Sequence, residues 1–224
     1  MRKLDELYLQ WPFLGSRRMA QHLGVNRKRV QRLMRIMGIE ALHPKPRLSR
    51  SAIDHQVYPY LLGELVIDRP NQVWCTDITY VPMQRGFLFL VAIMDWFSRF
   101  VLSWELSSTL DTSFCLAALD TAFRHGVPEI FNSDQGAQFT ATDFTGALQQ
   151  RQIRISMDGR GRWLDNVFIE RLWRSVKYEL IYLCSFDDGR QLWSALESYF
   201  AFYNFQRPHQ ALRNRTPSVV FNGK

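Results

Sequence analysis

Three acidic residues lie within a predicted strand, just past another strand and on a predicted helix. Asp77 interrupts an apolar, β-branched run, in which an unpaired charge would be buried at a high cost. Asp134 follows another apolar run and precedes Gly136, which lets the backbone turn sharply. Glu170 lies in an amphipathic run that is typical of a helix. Because ligand sites in open sheets form at the carboxyl ends of strands, the three acids can converge on one site.

Three carboxylates at one site would repel each other unless cations lay between them. Hard divalent ions that prefer oxygen ligands, Mg²⁺ or Mn²⁺, are the natural partners of such a group. Two ions ~3.5–4 Å apart can clamp a phosphodiester, one beside the attacking oxygen and one beside the leaving oxygen. The acids therefore predict a two-ion site for phosphodiester chemistry.

The run that carries Glu170 has two faces. Apolar residues at spacings of three and four form one stripe, made of Phe168, Ile169, Leu172, Trp173 and Val176. The other face carries Glu170, Arg174 and Lys177. Taken alone, this second face either holds a metal ion and grips phosphate or is an ordinary solvated salt-bridge surface.

Two polar residues mark the start of this helix. Asp165 suits the N-cap, and Asn166 is expected either to cap the helix or to hydrogen-bond near the site. The glycine- and arginine-rich residues 159–162 just before it are expected to form a basic flap that orders over bound DNA. Asp95 opens a turn, so a structural role is predicted for it, as for Asp165.

The elements that must position these acids are strands and helices in alternation. Strands are predicted at residues 73–81, 86–94, 99–106, 129–132 and 154–157. Helices are predicted at residues 111–125 and 142–150, from residue 165, and at residues 189–203. A three-strand meander followed by alternation predicts an α/β fold, a mixed five-stranded sheet flanked by helices on both faces.

The excess positive charge lies at the N-terminus. Residues 1–52 carry twelve Lys and Arg against three Asp and Glu, a net charge of +9, whereas the other 16 bases and 18 acids give −2. Residues 16–23 and 27–37 are predicted helices joined by a short turn at Gly24, with Asn26 as the N-cap of the second. This pattern is typical of a small all-α helix-turn-helix domain, although a solvated basic helix in a small bundle is the alternative.

The second of these helices presents a basic face to a polyanionic partner. Phosphate contacts with DNA are predicted for Arg27, Lys28, Arg29, Arg32 and Arg35. We predict a helix-turn-helix region at residues 1–52, a proline-containing linker at 53–70, a catalytic core at 71–185, and a C-terminal helix and tail at 186–224.

The three cysteines are far apart and indicate neither a disulfide framework nor a zinc site. Each is expected to be a buried free thiol. No signal peptide or membrane-spanning run is found, so a cytoplasmic, nucleoid-associated location is expected and no membrane partner.

The ordered set of motifs resembles the OrfB-type DDE transposases of bacterial insertion sequences, relatives of retroviral integrases with an RNase H-like catalytic core. The matching segments are VWCTDITYV, FNSDQGAQFTA, SMDGRGRWLDNVFIERLWRSVKYE, YNFQRPHQALRNRTPSVVF and the helix-turn-helix GSRRMAQHL…KRVQRLMR. Between Asp134 and Glu170 lie 170 − 134 − 1 = 35 residues, the spacing that this family shows. The resemblance covers nearly the whole chain.

The resemblance implies roles for particular residues. Asp77, Asp134 and Glu170 would be the catalytic, metal-binding triad, with Mg²⁺ or Mn²⁺ as cofactor. Lys177 matches the family's basic residue that contacts the DNA end, and Arg174 is a second candidate contact beside the alternative of a solvated helix face. The implied activity is metal-dependent DNA cleavage and strand transfer at the ends of the element. The implied assembly is a homo-oligomer on DNA.

Four readings remain open at this point. The family usually acts as a longer fusion whose upstream part adds a leucine zipper, and no heptad run is present here. The chain is therefore expected either to act with an upstream-frame protein or fusion, or to be a truncated, inactive copy. A non-catalytic DNA-binding regulator would not require the acid triad, and a structure-selective nuclease would not require the N-terminal region and tail.

Overall fold

The computed structural model describes residues 1–42, 56–159 and 166–223. The chain divides into two units, Met1–Arg50 and Ser51–Lys224. The predicted boundaries at residues 52 and 53 and the predicted cap Asp165 lie outside the described residues. So does the predicted flap, apart from Gly159, and the finer domain limits stay predictions.

The first unit contains three helices, α1 (Arg2–Gln10), α2 (Ser16–Leu23) and α3 (Arg27–Met37). Gly24 ends α2 in the left-handed conformation, and the side chain of Asn26 accepts a hydrogen bond from the Lys28 N–H at 2.8 Å. The predicted turn and cap are therefore confirmed. A small core centred on Leu4, Met19 and Val30 holds the helices together.

The second unit is built on a five-stranded mixed sheet. Its strands are β1 (Val73–Pro82), β2 (Phe87–Asp95), β3 (Val101–Ser107), β4 (Ile130–Ser133) and β5 (Arg154–Met157). The spatial order is β3-β2-β1-β4-β5, with β1–β2 and β2–β3 antiparallel and β1–β4 and β4–β5 parallel. The central strand β1 is thus the junction between the meander and the parallel half of the sheet.

Helices cover both faces of the sheet, as predicted. One face packs on α4 (Thr112–Ala122) and α5 (Thr142–Gln150) around a core that includes Trp74 and Phe131. The other face packs on α6 (Val167–Val176) and α7 (Gly189–Phe205) around a core that includes Cys75 and Ala92. Because side chains alternate along a strand, Asp77 falls on the face covered by α6 and α7.

Two elements beyond α6 differ from the prediction. A π turn, Lys177–Ile181, follows α6, and a short helix α8, Pro217–Asn222, ends the described chain. The helix α8 has proline at its first position and Gly223 as its left-handed stop, which is the sequence pattern that could have predicted it.

Cys75 and Cys115 are buried free thiols, as predicted, but Cys184 is exposed. The prediction was wrong for Cys184 because it lies in an exposed stretch at residues 182–185 that follows the π turn. None of the helices in the described ranges has both the length and the apolar character needed to cross a membrane.

Candidate active site

Asp77 is held by a contact between the sheet and a helix. It pairs with Ala92 in the β1–β2 ladder and is half-buried. The indole N–H of Trp173 on α6 donates a hydrogen bond to the Asp77 carboxylate at 2.9 Å. The apolar stripe of α6 therefore does more than fill the core, because one of its members orients the first acid.

Asp134 follows β4 directly and lies beside Asp77 by register. In the parallel ladder Cys75 pairs with Asn132, so two residues farther along each strand come Asp77 and Asp134. The N–H of Gly136 donates to the Asp134 carboxylate at 2.9 Å. A Cβ atom at Gly136 would lie 2.8 Å from that same carboxylate oxygen, so the close approach depends on glycine.

Glu170 is exposed in the first turn of α6. It precedes Trp173 by three residues, a spacing that places both side chains on one side of the helix. Since Trp173 touches Asp77, α6 directs Glu170 to the same end of β1. Ile169 and Leu172 on the buried face of α6 anchor the helix on the sheet.

The three acids influence one another electrostatically. The pKa of Asp77 is raised to about 7, first by burial, then by the Asp134 carboxylate and, to a smaller extent, by Glu170. Hydrogen bonds from the Ile78 backbone and from Trp173 act in the opposite direction. Like-charge repulsion of this kind is what a bound cation would relieve.

The three acids offer the donor chemistry that a divalent cation requires. All three side chains offer carboxylate oxygens, which fit a hard ion such as Mg²⁺. Within the described ranges, however, no group of three or more acidic, imidazole or thiol side chains is close enough to hold a metal ion as it stands. The assignment of the triad as metal ligands thus stays a prediction.

Asn166 does not act as the predicted cap. It occupies the N-cap position of α6, but its side chain makes no capping hydrogen bond. Its amide instead donates to the Thr76 carbonyl at 3.2 Å, next to Asp77 on β1. Among the described residues, the buried amide oxygen of Asn166 has no hydrogen-bond partner. Tertiary packing against the sheet has overridden the local cap preference, and the alternative prediction of a bond near the site is the one that fits.

Asp158 is an acid at this sheet edge that the sequence analysis missed. It follows β5 directly, and because Ser133 pairs with Met157, Asp134 and Asp158 come next along their strands. Asp158 is buried and accepts a hydrogen bond from the Asn132 amide at 2.8 Å. The sequence contained a signal for this residue, because Asp158 directly follows a predicted strand and precedes a glycine. Asp134, which also follows a strand and lies near a glycine, shows a similar pattern.

Asp95 has the structural role that was predicted. It is buried and pairs with Trp74, three residues before Asp77 along β1. Its carboxylate accepts hydrogen bonds from the backbone N–H of Asn71 and Ser98, both at 2.8 Å. The bond from Ser98 fixes the turn between β2 and β3, and the bond from Asn71 ties that turn to the residues just before β1.

The predicted DNA contacts lie on surfaces of both units. Arg174 is exposed on α6, and Lys177 is partly buried at the start of the π turn. In the first unit, the five cations of α3 are all exposed: Arg27, Lys28, Arg29, Arg32 and Arg35. Their contact with DNA stays a prediction.

Two family descriptions match the chain. "Integrase core domain" matches residues 67–162 and, in a second form, residues 151–217. "HTH-like domain" matches residues 1–47. The two families divide the chain near the boundary between its two units.

Curated relatives agree with these matches. The transposase for insertion sequence element IS904 of Lactococcus lactis is 29% identical over 206 residues, covering 86% of this chain and 79% of the relative. The putative transposase InsK for insertion sequence element IS150 of Escherichia coli is 30% identical over 198 residues. This match covers 86% of this chain and 70% of the relative.

Solved structures establish the fold. The HTLV-2 integrase catalytic core domain in complex with magnesium matches with a TM-score of 0.56 and 19% identity, covering 68% of this chain and 97% of that one. A simian T-cell lymphotropic virus intasome in complex with a PP2A regulatory subunit matches with a TM-score of 0.60 and 18% identity. This match covers 97% of this chain and 74% of that one. The predicted RNase H-like, integrase-type sheet is confirmed.

Proposed function

Since the chain belongs to the insertion-sequence transposases that carry an integrase core domain, enzymes of the polynucleotidyl transferase type, we propose that Asp77, Asp134 and Glu170 are its catalytic acids. The observation that carries this proposal is the hydrogen bond from Trp173 to Asp77, because it joins the strand of one acid to the helix of another. The register that sets Asp134 beside Asp77 supports it.

The same three acids are proposed to bind divalent cations. An integrase core that shares this fold has been solved in complex with magnesium. When bound, Mg²⁺ or Mn²⁺, in our proposal two ions, would supply the positive charge that activates the attacking oxygen and steadies the leaving oxygen.

The proposed reaction has two steps. Water attacks a phosphodiester at the element's end, the P–O bond to the 3′-oxygen breaks, and a 3′-hydroxyl is released. This hydroxyl then attacks a phosphodiester of the target, whose own 3′-oxygen leaves as a hydroxyl. Trp173 and the Gly136 N–H hold the carboxylates of Asp77 and Asp134 during both steps. No nucleophilic side chain takes part, since the carboxylates act only by holding charge.

DNA is proposed to contact both units. The five cations of α3 would bind phosphates, while Lys177 and Arg174 would contact the DNA end near Glu170. We further propose that the chain acts on the ends of DNA in the nucleoid. It would do so as a homo-oligomer and together with an upstream-frame partner or fusion. An intasome is among the solved neighbours.

The test is strand transfer with oligonucleotides that carry the element's terminal inverted repeats. We expect Asp77→Asn, Asp134→Asn and Glu170→Gln each to lower Mg²⁺-dependent cleavage and strand transfer by about 10³-fold or more, because each removes a charge that holds the cations. DNA binding measured by gel shift should change little.

A matched control removes the same charge away from the site. Asp143 is exposed in the first turn of α5, and Asp143→Asn should retain full activity. Full activity in any of the three site variants would contradict the triad. A DNA shift with no nicking by the unaltered chain would favour a non-catalytic regulator instead.

A further inference from the structure

The C-terminal segment of the chain contacts the turn that carries Lys177. At Lys177 the helix α6 gives way to the π turn, which is closed by a hydrogen bond from the Tyr182 N–H to the Lys177 carbonyl at 2.8 Å. The turn contains neither glycine nor proline, and its residues would otherwise continue an α-helix. Contacts from elsewhere in the unit must therefore hold this shape.

Glu179, in the middle of the π turn, supplies those contacts. Its carboxylate accepts hydrogen bonds from Arg207 Nε at 2.9 Å and from Arg207 Nη2 at 2.6 Å. The Tyr199 hydroxyl donates a third, at 2.9 Å. A forked guanidinium–carboxylate pair fixes direction as well as distance, so the turn is tied to both α7 and the tail.

The surroundings strengthen this contact. The side chains of Glu179 and Arg207 are 35% and 25% exposed, while Tyr199 and Ile181 are buried. Burial opposes ionisation of Glu179, but hydrogen bonds from Arg207 and Tyr199 outweigh it and lower the pKa of the carboxyl. The pair is therefore charged at neutral pH and less screened than a surface salt bridge.

The position of Lys177 gives this contact a consequence. Lys177 follows Glu170 by seven residues, which on a helix means the same face and roughly 10 Å farther along the axis. Its own backbone carbonyl closes the π turn. A change in the turn would therefore change the direction in which the Lys177 ammonium points relative to Glu170.

We propose that Glu179 and Arg207 are positioning residues that hold the π turn so that Lys177 meets the phosphate backbone of the DNA end. The proposal rests on the proposed function, in which Lys177 is a DNA contact. It assigns a purpose to the Arg207 segment of the tail, which lies far from the acids in sequence. Neither Glu179 nor Arg207 touches the reacting atoms.

Glu179→Gln tests the proposal through the sign of its effect. On charge alone, removing a carboxylate two residues from a DNA-contacting lysine should tighten DNA binding. If Glu179 positions Lys177, the same variant should instead weaken binding by about threefold or more, since the forked pair is lost. The measurement is the affinity for a duplex oligonucleotide that ends in the element's terminal inverted repeat.

A double-mutant cycle separates positioning from general stability. Lys177→Ala should weaken binding and reduce the slope of log K against log salt by about 0.9, the value for one phosphate contact. In the Lys177→Ala background, Glu179→Gln should no longer weaken binding. Glu197, exposed on α7, provides the matched control, and Glu197→Gln should not weaken binding in either background.

The outcomes are distinguishable. Tighter binding by Glu179→Gln, or equal weakening with and without Lys177, overturns the positioning role alone. No effect of Lys177→Ala overturns the DNA contact and the positioning role with it. If Glu179→Gln does not fold, Arg207→Lys keeps the charge but loses the fork, and it should weaken binding only when Lys177 is present.

Discussion

At the scale of single residues, the site depends on groups that orient the acids. Asp134 is exposed, yet its carboxylate has a defined direction because the Gly136 N–H donates to it. The Asp77 carboxylate also has a defined direction, because the indole N–H of Trp173 donates a hydrogen bond to it. The types and spacing of the acids were predictable from the sequence, but these orienting bonds were not, since they join residues that meet only after the chain has folded.

Gly136→Ala should separate activity from stability. The added Cβ would lie 2.8 Å from the Asp134 carboxylate oxygen, and that flexible side chain can move away at little cost in stability. We expect cleavage to fall by about tenfold or more, because the acid is displaced, with a change in the free energy of unfolding within ~0.5 kcal/mol. Cleavage assays and urea unfolding measure the two quantities.

Gly146→Ala is the control for that substitution. Gly146 lies within α5, where a Cβ meets nothing within 4 Å. Activity should stay unchanged, and stability should rise by about 0.5–1 kcal/mol from the better helix propensity of alanine. Unchanged cleavage in Gly136→Ala would show that its hydrogen bond does not set the direction of Asp134.

At the scale of elements, the sequence predicted most helices and strands but not the details of their ends. The helices α2 and α3 have the predicted bounds because their stops and caps are local, at Gly24 and Asn26. The π turn was not predicted, because the groups that contact Glu179 within it, Tyr199 and Arg207, lie farther along the chain. The bond from Asn166 to Thr76 could be predicted only as one of two alternatives, since Thr76 lies ninety residues away in the chain.

The tail provides a pH-dependent contribution to stability. The pKa of His209 is lowered to about 4, first by burial and then by the nearby Arg207 guanidinium, against a smaller opposing effect from Glu179. An unfolded histidine has a pKa near 6.5, so between about pH 6.5 and 4 the unfolded chain binds more protons than the folded one. Stability should therefore decrease as the pH falls through this window.

The comparison of His209→Gln with the unaltered chain measures this contribution. Between pH 7 and pH 5 the unaltered chain should lose about 1 kcal/mol more stability than the variant, a value reduced for the partial exposure of the ring. Urea unfolding at the two pH values gives the difference. His125 lies on the opposite side of the sheet from α7, so His125→Gln should leave the contribution of His209 in place. Equal losses of stability in the unaltered chain and in His209→Gln would exclude a contribution from His209.

At the scale of the whole molecule, charge and chemistry are divided between two units. The net charge of +9 in residues 1–52 contrasts with −2 in the rest, and the acids lie in the second unit. The α/β class and the mixed sheet could be predicted from the alternation of elements. The strand order could not, because the placement of β4 and β5 beside β1 depends on packing between distant segments.

This division predicts where the salt dependence of DNA binding comes from. Replacing the five cations of α3 with glutamine in the full chain should reduce the slope of log K against log salt by up to about 4. Replacing five exposed arginines of the second unit should reduce it less; the set is Arg85, Arg124, Arg154, Arg190 and Arg213. Equal reductions would mean that α3 is a solvated face rather than the main phosphate contact.

The central place of β1 has a mechanical consequence. β1 is hydrogen-bonded to β2 over Trp74–Pro82 on one side and to β4 over Val73–Cys75 on the other. A tensile load transmitted from bent DNA to Asp77 would therefore act in shear on two ladders at once, instead of peeling a single edge strand. We expect the short β1–β4 ladder, which sets the spacing of Asp77 and Asp134, to yield before the longer β1–β2 ladder.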